Sequence, residues 1–331
     1  MFAWLYNAEL AWLRWLQSLP LFDGPLTSEF WLFCTKLGNP KWSFSVYFPL
    51  LFAILPRRSL QFLTAAVVSE VANAVLKWVL FGDRPYWYVD EHECTWAQHE
   101  IQLKQYPLTC ETGPGSPSGH VMVTCAVFYA LLASADEPAE SGNKRYSKPK
   151  LVMPNQVSVW HALESIVISG FNILIWLLCG VAQRLFANML YVLLVLLVSV
   201  SRLYIVAHFP HQVLLGVVVG VIVGRLCVLV SIDNHHRALS LCVILFATCL
   251  FTHVSLRLLH LDPDWSLTKA ERSCAQSDWV HVSTSPWATL FRDFGTLLGL
   301  TVVLRTRSVC DLQAIGPEEE MLEEQGFRKE C

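Results

Sequence analysis

At 331 residues, of which 54% are hydrophobic and 15% charged, the chain is too apolar for a soluble domain and too continuous for several small ones, and it reads as a single all-α polytopic membrane domain. A formal net charge of −3 leaves no basic stripe for a phosphate backbone, so a nucleic-acid partner is not expected. The 11 cysteines contain no C-x-x-C pair and sit mostly singly in apolar segments, where Cys behaves as a small hydrophobe, so no metal is assigned to them.

Residues 1–42 open with an amphipathic stretch carrying Glu9 and Arg14. No basic start followed by an apolar run and a small-residue cleavage site is evident, so the first membrane helix is expected to serve as the address. Since a bilayer core takes about 20 apolar helical residues, about seven spans are predicted, near 43–56, 60–81, 119–133, 187–205, 211–232, 238–258 and 286–304. Arg57 and Arg58 follow the first span, Lys144, Arg145, Lys148 and Lys150 follow the third, Arg237 precedes the sixth, and Arg305 and Arg307 follow the last. Those loops are therefore predicted cytoplasmic. The loop after span two holds Asp83, Asp90, Glu91, Glu93, Glu100 and Glu111, which puts it and the N-terminus on the other side. The polar stretch from about Ser134 to Trp160 reads as a cytoplasmic insertion. The apolar run Ile166 to Val181 is expected to lie in the interface or to re-enter, because an extra crossing would separate His120 from His208. The acidic tail Glu318 to Glu324 reads as a solvated end.

Chemistry-bearing residues recur beside these spans. Lys77, at the end of span two, and Arg84, just past it, are seven apart, or two helical turns, and can point into one cavity. The alternative is a snorkelling Lys with an interfacial Arg; the depth of Lys77 favours a partner or a wet cavity. Glu111 to His120 (ETGPGSPSGH) leads into span three, whose start offers unpaired N–H groups to an anion at Ser118 and Gly119. There His120 is placed to protonate a leaving alkoxide, and the alternative is a Ser-capped helix with a His in its first turn. Arg202 and His208 are six apart across the turn between spans four and five, and His208 is the candidate nucleophile because imidazole can attack phosphorus and leave again. His211 reads as a residue capping or orienting the next helix.

The three blocks K-x6-R-P, P-S-G-H and S-R-x5-H resemble the signature of the type 2 phosphatidic acid phosphatase and vanadium haloperoxidase superfamily. The longer strings KWVLFGDRP, CETGPGSPSGH and AHFPHQV are similar to those of glucose-6-phosphatases, over residues 36 to about 304, with DWVHV at 278–282 a further matching stretch. The resemblance implies a phosphatase of the endoplasmic-reticulum membrane with its site facing the lumen. It would hydrolyse glucose 6-phosphate, the last step of gluconeogenesis and glycogenolysis, without a cofactor or metal. In that reading Lys77, Arg84 and Arg202 hold the phosphate, His208 forms the phosphohistidine, and His120 protonates the sugar oxygen and then activates water. The organisation becomes a lumenal segment (1–42), a membrane-embedded phosphatase domain (43–304) with an insertion at about 134–183, and a cytoplasmic tail (305–331). A separate glucose 6-phosphate transporter is a candidate partner.

Three departures accompany the resemblance. Gln212 stands where the wider superfamily has an Asp that would orient the nucleophile, as it does in glucose-6-phosphatases; about seven spans replace the usual nine; and the insertion is foreign to the pattern. Cys94, Cys110 and Cys274 fall in predicted lumenal loops, where disulfides are permitted, and a Cys110–Cys274 bridge is one pairing they allow. The ending Arg328-Lys329-Glu330-Cys331 resembles a basic retrieval signal. The competing readings are a lipid phosphatase of the wider superfamily, an anion transporter and an inactive relative. Gln212 and the Phe-Pro-His string count against the first, and the clustering of cations at one mouth counts against the second.

Overall fold

A computed structural model describes residues 3–22, 24–92, 103–133, 159–230, 232 and 234–326, with the backbone alone at 21, 56, 57, 159–180 and 307–326. Cys94, the insertion at 134–158 with its four basic residues, and Lys329 lie outside the described residues. Twelve α-helices are described: α1 (Ala3–Ser18), α2 (Pro25–Leu37), α3 (Pro40–Trp42), α4 (Phe48–Ile54), α5 (Pro56–Leu80), α6 (Pro85–His92), α7 (Gly119–Ala133), α8 (Val159–Tyr204), α9 (Pro210–Val228), α10 (His235–Leu258), α11 (Trp265–Ser273) and α12 (Pro286–Gly326). Among the described residues there is no strand, and Glu111 and His281 form an isolated bridge.

Among the described residues, five stretches are long and apolar enough to cross a bilayer: Arg58–His92, Val181–Tyr204, Pro210–Val228, His235–Leu258 and Pro286–Thr306. The segment expected as the first span runs through α3, a π turn at Ser43–Tyr47 and α4 in succession, and Pro49, which has no N–H for the ladder, follows just after the π turn. α7 has 15 described residues and is walled in by neighbours on most sides. The apolar run 166–181 is not a separate interfacial or re-entrant element; it lies within the uninterrupted 46-residue α8. No Gly or Pro separates it from the fourth span, and good helix formers such as Ala182, Gln183, Arg184 and Leu185 carry the helix through. At 1.5 Å per residue α8 is about 69 Å long, over twice the roughly 30 Å of a bilayer core.

The inner bundle is α5, α7 and α9. Gly216, Gly220 and Gly224 form a small-residue stripe on α9 that lets its backbone press against α7. A Cβ at Gly216 would stand 2.9 Å from the Ser118 carbonyl oxygen, one at Gly224 would stand 2.8 Å from that of Ala126, and one at Gly220 would overlap that of Met122. Close backbone approach of this kind is how helices associate where lipid removes the hydrophobic drive between them. The stripe fixes the start of α7, with His120, against the start of α9, beside His208.

Outside this inner bundle, α10 and α12 close over α5 around Trp78, Leu290 and Leu297. On the other flank α1 buries Leu10, Leu13 and Leu16 against Tyr204 and Phe209. Glu9 anchors α1: its carboxylate accepts from the His211 backbone N–H (3.0 Å) and from His211 Nδ1 (2.6 Å). His211 thus orients the start of α9, and the N-terminal amphipathic stretch becomes a brace for the His208 turn.

Candidate active site

Lys77, Arg84, His120, Arg202 and His208 converge, although they come from five different places in the chain. What gathers four of them is Glu111, a buried carboxylate in the loop before α7. Its Oε1 lies 2.6 Å from Arg202 Nη2 and 3.5 Å from His120 Nδ1; its Oε2 lies 3.0 Å from Arg84 Nη2 and 4.0 Å from His208 Nε2. Burial would raise its pKa, but Arg202 and Arg84 outweigh burial and hold it well below the usual carboxylate range, so the group is anionic.

The backbone around Glu111 is pinned. Cys110 is bonded to Cys274, with their Cα atoms 5.9 Å apart, one of the pairings the loop cysteines allowed. His281 N–H donates to the Cys110 carbonyl (3.0 Å), Tyr86 Oη–H donates to that of Glu111 (3.0 Å), and Thr109 Oγ1–H donates to that of Ile205 (2.6 Å). These bonds bring the loop to Arg202.

The two arginines do different work. Arg84 Nε donates to Gly113 O (2.7 Å), Nη1 to Ala207 O (3.0 Å) and Nη2 to Glu111, with Pro114 O at 3.4 Å. It therefore clamps the loop before α7 to the turn before α9, and only Nη2 meets the anion. Arg202 commits Nη2 to Glu111, while its buried Nε and Nη1 make no hydrogen bond, so it has planar donors left to grip an oxyanion. Lys77 faces the same cavity as Arg202, Glu111 and His120.

His208 is fully buried. Its Nδ1 lies 2.7 Å from the Gly115 carbonyl oxygen, which can only accept, so the proton sits on Nδ1 and Nε2 carries the lone pair. Burial first, then Arg84 and Arg202, pushes its pKa well below the ordinary imidazole value. A neutral ring with its lone pair toward the carboxylate position has the form that an imidazole nucleophile requires. The Gly115 carbonyl thus does the orienting work for which the wider superfamily uses Asp. Gln212 serves the scaffold: its Oε1 accepts from Phe209 N–H (3.1 Å), capping α9, and its Nε2 donates to Asp83 O (2.7 Å).

Of the two residues expected to offer N–H groups, Gly119 lines the cavity. The Ser118 amide instead donates to Gln212 O (3.1 Å), and its side chain is buried with Oγ unpartnered. The cavity, about 210 Å³, continues from Lys77, Glu111, His120 and Arg202 past Asn73 to the Glu70–Arg292 ion pair and to Lys41, Ser283 and Thr289. Among the described residues no group of three or more His, Cys, Asp or Glu side chains could hold a metal.

Glu111 and the Gly115 carbonyl were not legible as site groups. Glu111 reads in the sequence as one acid of an acid-rich loop and as the start of the ETGPGSPSGH run, and its partner Arg202 is 91 residues away; its position six residues before Pro117 is the available signal.

A model of the PAP2 superfamily matches residues 58–236. Glucose-6-phosphatase 3 of Homo sapiens is 33% identical over 298 residues, covering 89% of this chain and 72% of that protein. Glucose-6-phosphatase 2 of Mus musculus is 34% identical over 276 residues, covering 81% and 68%. Glucose-6-phosphatase catalytic subunit 1 of Rattus norvegicus is 32% identical over 286 residues, covering 85% and 71%. No solved structure matches.

Proposed function

The chain belongs to the PAP2 superfamily and, within it, to the glucose-6-phosphatases; it is a multi-pass membrane phosphoric monoester hydrolase, and from that premise we propose that it hydrolyses glucose 6-phosphate through a phosphohistidine on His208. The carrying observation is the single anion position onto which Arg84, Arg202, His120 and the lone pair of His208 all face.

In the first step His208 Nε2 attacks phosphorus, the bond from phosphorus to the sugar oxygen breaks, and His120 gives its proton to the departing alkoxide. The charge spread over the equatorial oxygens is met by Arg202, Arg84 and Lys77. In the second step His120, now neutral, takes a proton from water as the water oxygen bonds to phosphorus and the bond to Nε2 breaks, which releases inorganic phosphate and restores both rings. The three cations fill the electrostatic role that a metal has in other phosphoryl-transfer sites.

The cavity supports a sugar ester over a lipid. Its 210 Å³ is below the roughly 300–1,000 Å³ of pockets for drug-sized ligands, and its far wall offers Asn73, Thr289 and the Glu70–Arg292 pair, groups that match hydroxyls and not acyl chains. The Cys110–Cys274 bond supports a lumenal site in the endoplasmic reticulum, because such bonds persist in oxidising compartments. The role in glucose production and delivery of substrate by a separate transporter are proposed with it.

The test is phosphate release in permeabilised microsomes from glucose 6-phosphate beside phosphatidic acid, with the His208→Ala protein as blank. Release from the sugar ester alone supports the proposal. Release from the lipid, or none despite correct insertion, overturns it.

A further inference from the structure

In-line attack requires phosphorus about 3–3.5 Å from His208 Nε2. Glu111 Oε2 stands 4.0 Å from that nitrogen, on the side where Nε2 has no hydrogen-bond partner. Lys77, Glu111, His120 and Arg202 line the cavity, whereas Arg84 and His208 are 0% exposed and do not. The carboxylate is therefore interposed between the cavity and the nucleophile.

We infer that the Glu111 carboxylate occupies the position of the substrate's phosphoryl group, holding Arg84 and Arg202 in place until the phosphate displaces it. This rests on the proposed phosphohistidine reading. The carboxylate mimics the ligand in shape and charge: two oxygens, each facing one guanidinium and one imidazole. Charge points the same way. The two guanidiniums of Arg84 and Arg202 meet a single carboxylate charge, an excess of positive charge that a phosphate monoester of about two negative charges offsets better than a carboxylate does. The displacement is a side-chain rotation, because the disulfide at Cys110, the Tyr86 bond and the His281 bridge fix the backbone. Glu111 is thus a positioning residue that preorganises the cations and competes with their ligand.

A competitor and a purely structural partner have opposite signatures when the charge is removed without changing shape. With Glu111→Gln, inorganic phosphate and vanadate should bind about tenfold more tightly, since a charge-assisted contact no longer has to be broken. The KM should fall, and kcat should fall as product release slows. Weaker binding of both anions to a correctly inserted Glu111→Gln protein would overturn the inference. If that variant does not fold, the wild-type protein decides the matter in a structure with vanadate. A carboxylate turned away from Arg84 and Arg202, with vanadate between them, supports displacement; a carboxylate still bridging both arginines beside bound vanadate refutes it. Direct binding of inorganic phosphate needs no turnover, so tighter binding to Glu111→Gln alongside a wild type inert towards glucose 6-phosphate would refute the proposed function and leave this inference standing.

Discussion

Replacing Gly115 by Ala tests whether a backbone carbonyl orients the nucleophile. The new Cβ would stand 2.7 Å from the Asp83 carbonyl oxygen and 2.8 Å from the Gln212 amide, about 0.7 Å inside the 3.4 Å of an ordinary contact. Neither neighbour can yield freely, because Gln212 Nε2 donates to that same oxygen at 2.7 Å. Gly115 is itself held by its N–H on Gly82 O (2.7 Å), so the peptide must shift and carry with it the carbonyl that holds His208 Nδ1. A misplacement of about 1 Å costs about 10²-fold in a positioned reaction. A shift of this size should slow phosphoenzyme formation by about 30- to 100-fold, or roughly 2–3 kcal/mol of barrier, with KM within about threefold. Rapid-quench labelling from substrate carrying ³²P, in microsomes with matched insertion, measures the step directly. A labelling rate within threefold of wild type would refute the assignment, as would a raised KM with unchanged kcat.

Other substitutions separate the remaining roles. Arg84→Lys strands the carbonyls of Gly113 and Ala207, each at about 1–3 kcal/mol; both thermal stability in detergent and turnover should fall, and an unchanged melting temperature would contradict the clamp. Gly220→Leu drives a side chain into the α7 backbone at Met122, and overpacking of this kind costs typically 1–3 kcal/mol, so detergent-resistant folded protein should drop; wild-type stability would refute the close contact. Cys274→Ser should loosen the loop carrying Glu111 and lower stability by about 2–5 kcal/mol, and non-reducing peptide mapping that finds both thiols free in the wild type would remove the premise. Glu70→Gln should lower kcat/KM for glucose 6-phosphate by about tenfold while sparing propyl phosphate; equal losses on both esters would deny the far wall a role in reading hydroxyls.

The five polar residues that converge in the candidate site stood out in the sequence because each is costly where it lies: a Lys in an apolar helix, or a His at the mouth of a span, needs a reason. Lys77 and Arg84 were also paired by helical arithmetic alone. What could not be read were groups whose role depends on distant partners. Glu111 meets Arg202 across 91 positions and Glu9 meets His211 across 202, and no local pattern marks either pair. The orienting group of His208 is a main-chain oxygen and has no side-chain signature at all. The stripe Gly216, Gly220, Gly224, by contrast, is a recognisable small-xxx-small pattern in an apolar helix that composition alone passed over. Two local details were not legible in apolar length alone: a π turn followed by Pro49 interrupts the ladder of the first segment, and helix formers carry 166–181, expected as an interfacial or re-entrant piece, into α8.

The guanidinium of Arg84 has a consequence for biosynthesis. It takes carbonyls both from Gly113 and Pro114 and from Ala207, the last 123 residues downstream. When the chain is made from its N-terminus, this cation waits through the whole of α7 and the long α8 before its third carbonyl exists. The turn before α7 and the turn before α9 are therefore templates for one another. The clamp on the pocket is complete only once Ala207 has been made and the turn before α9 is in place.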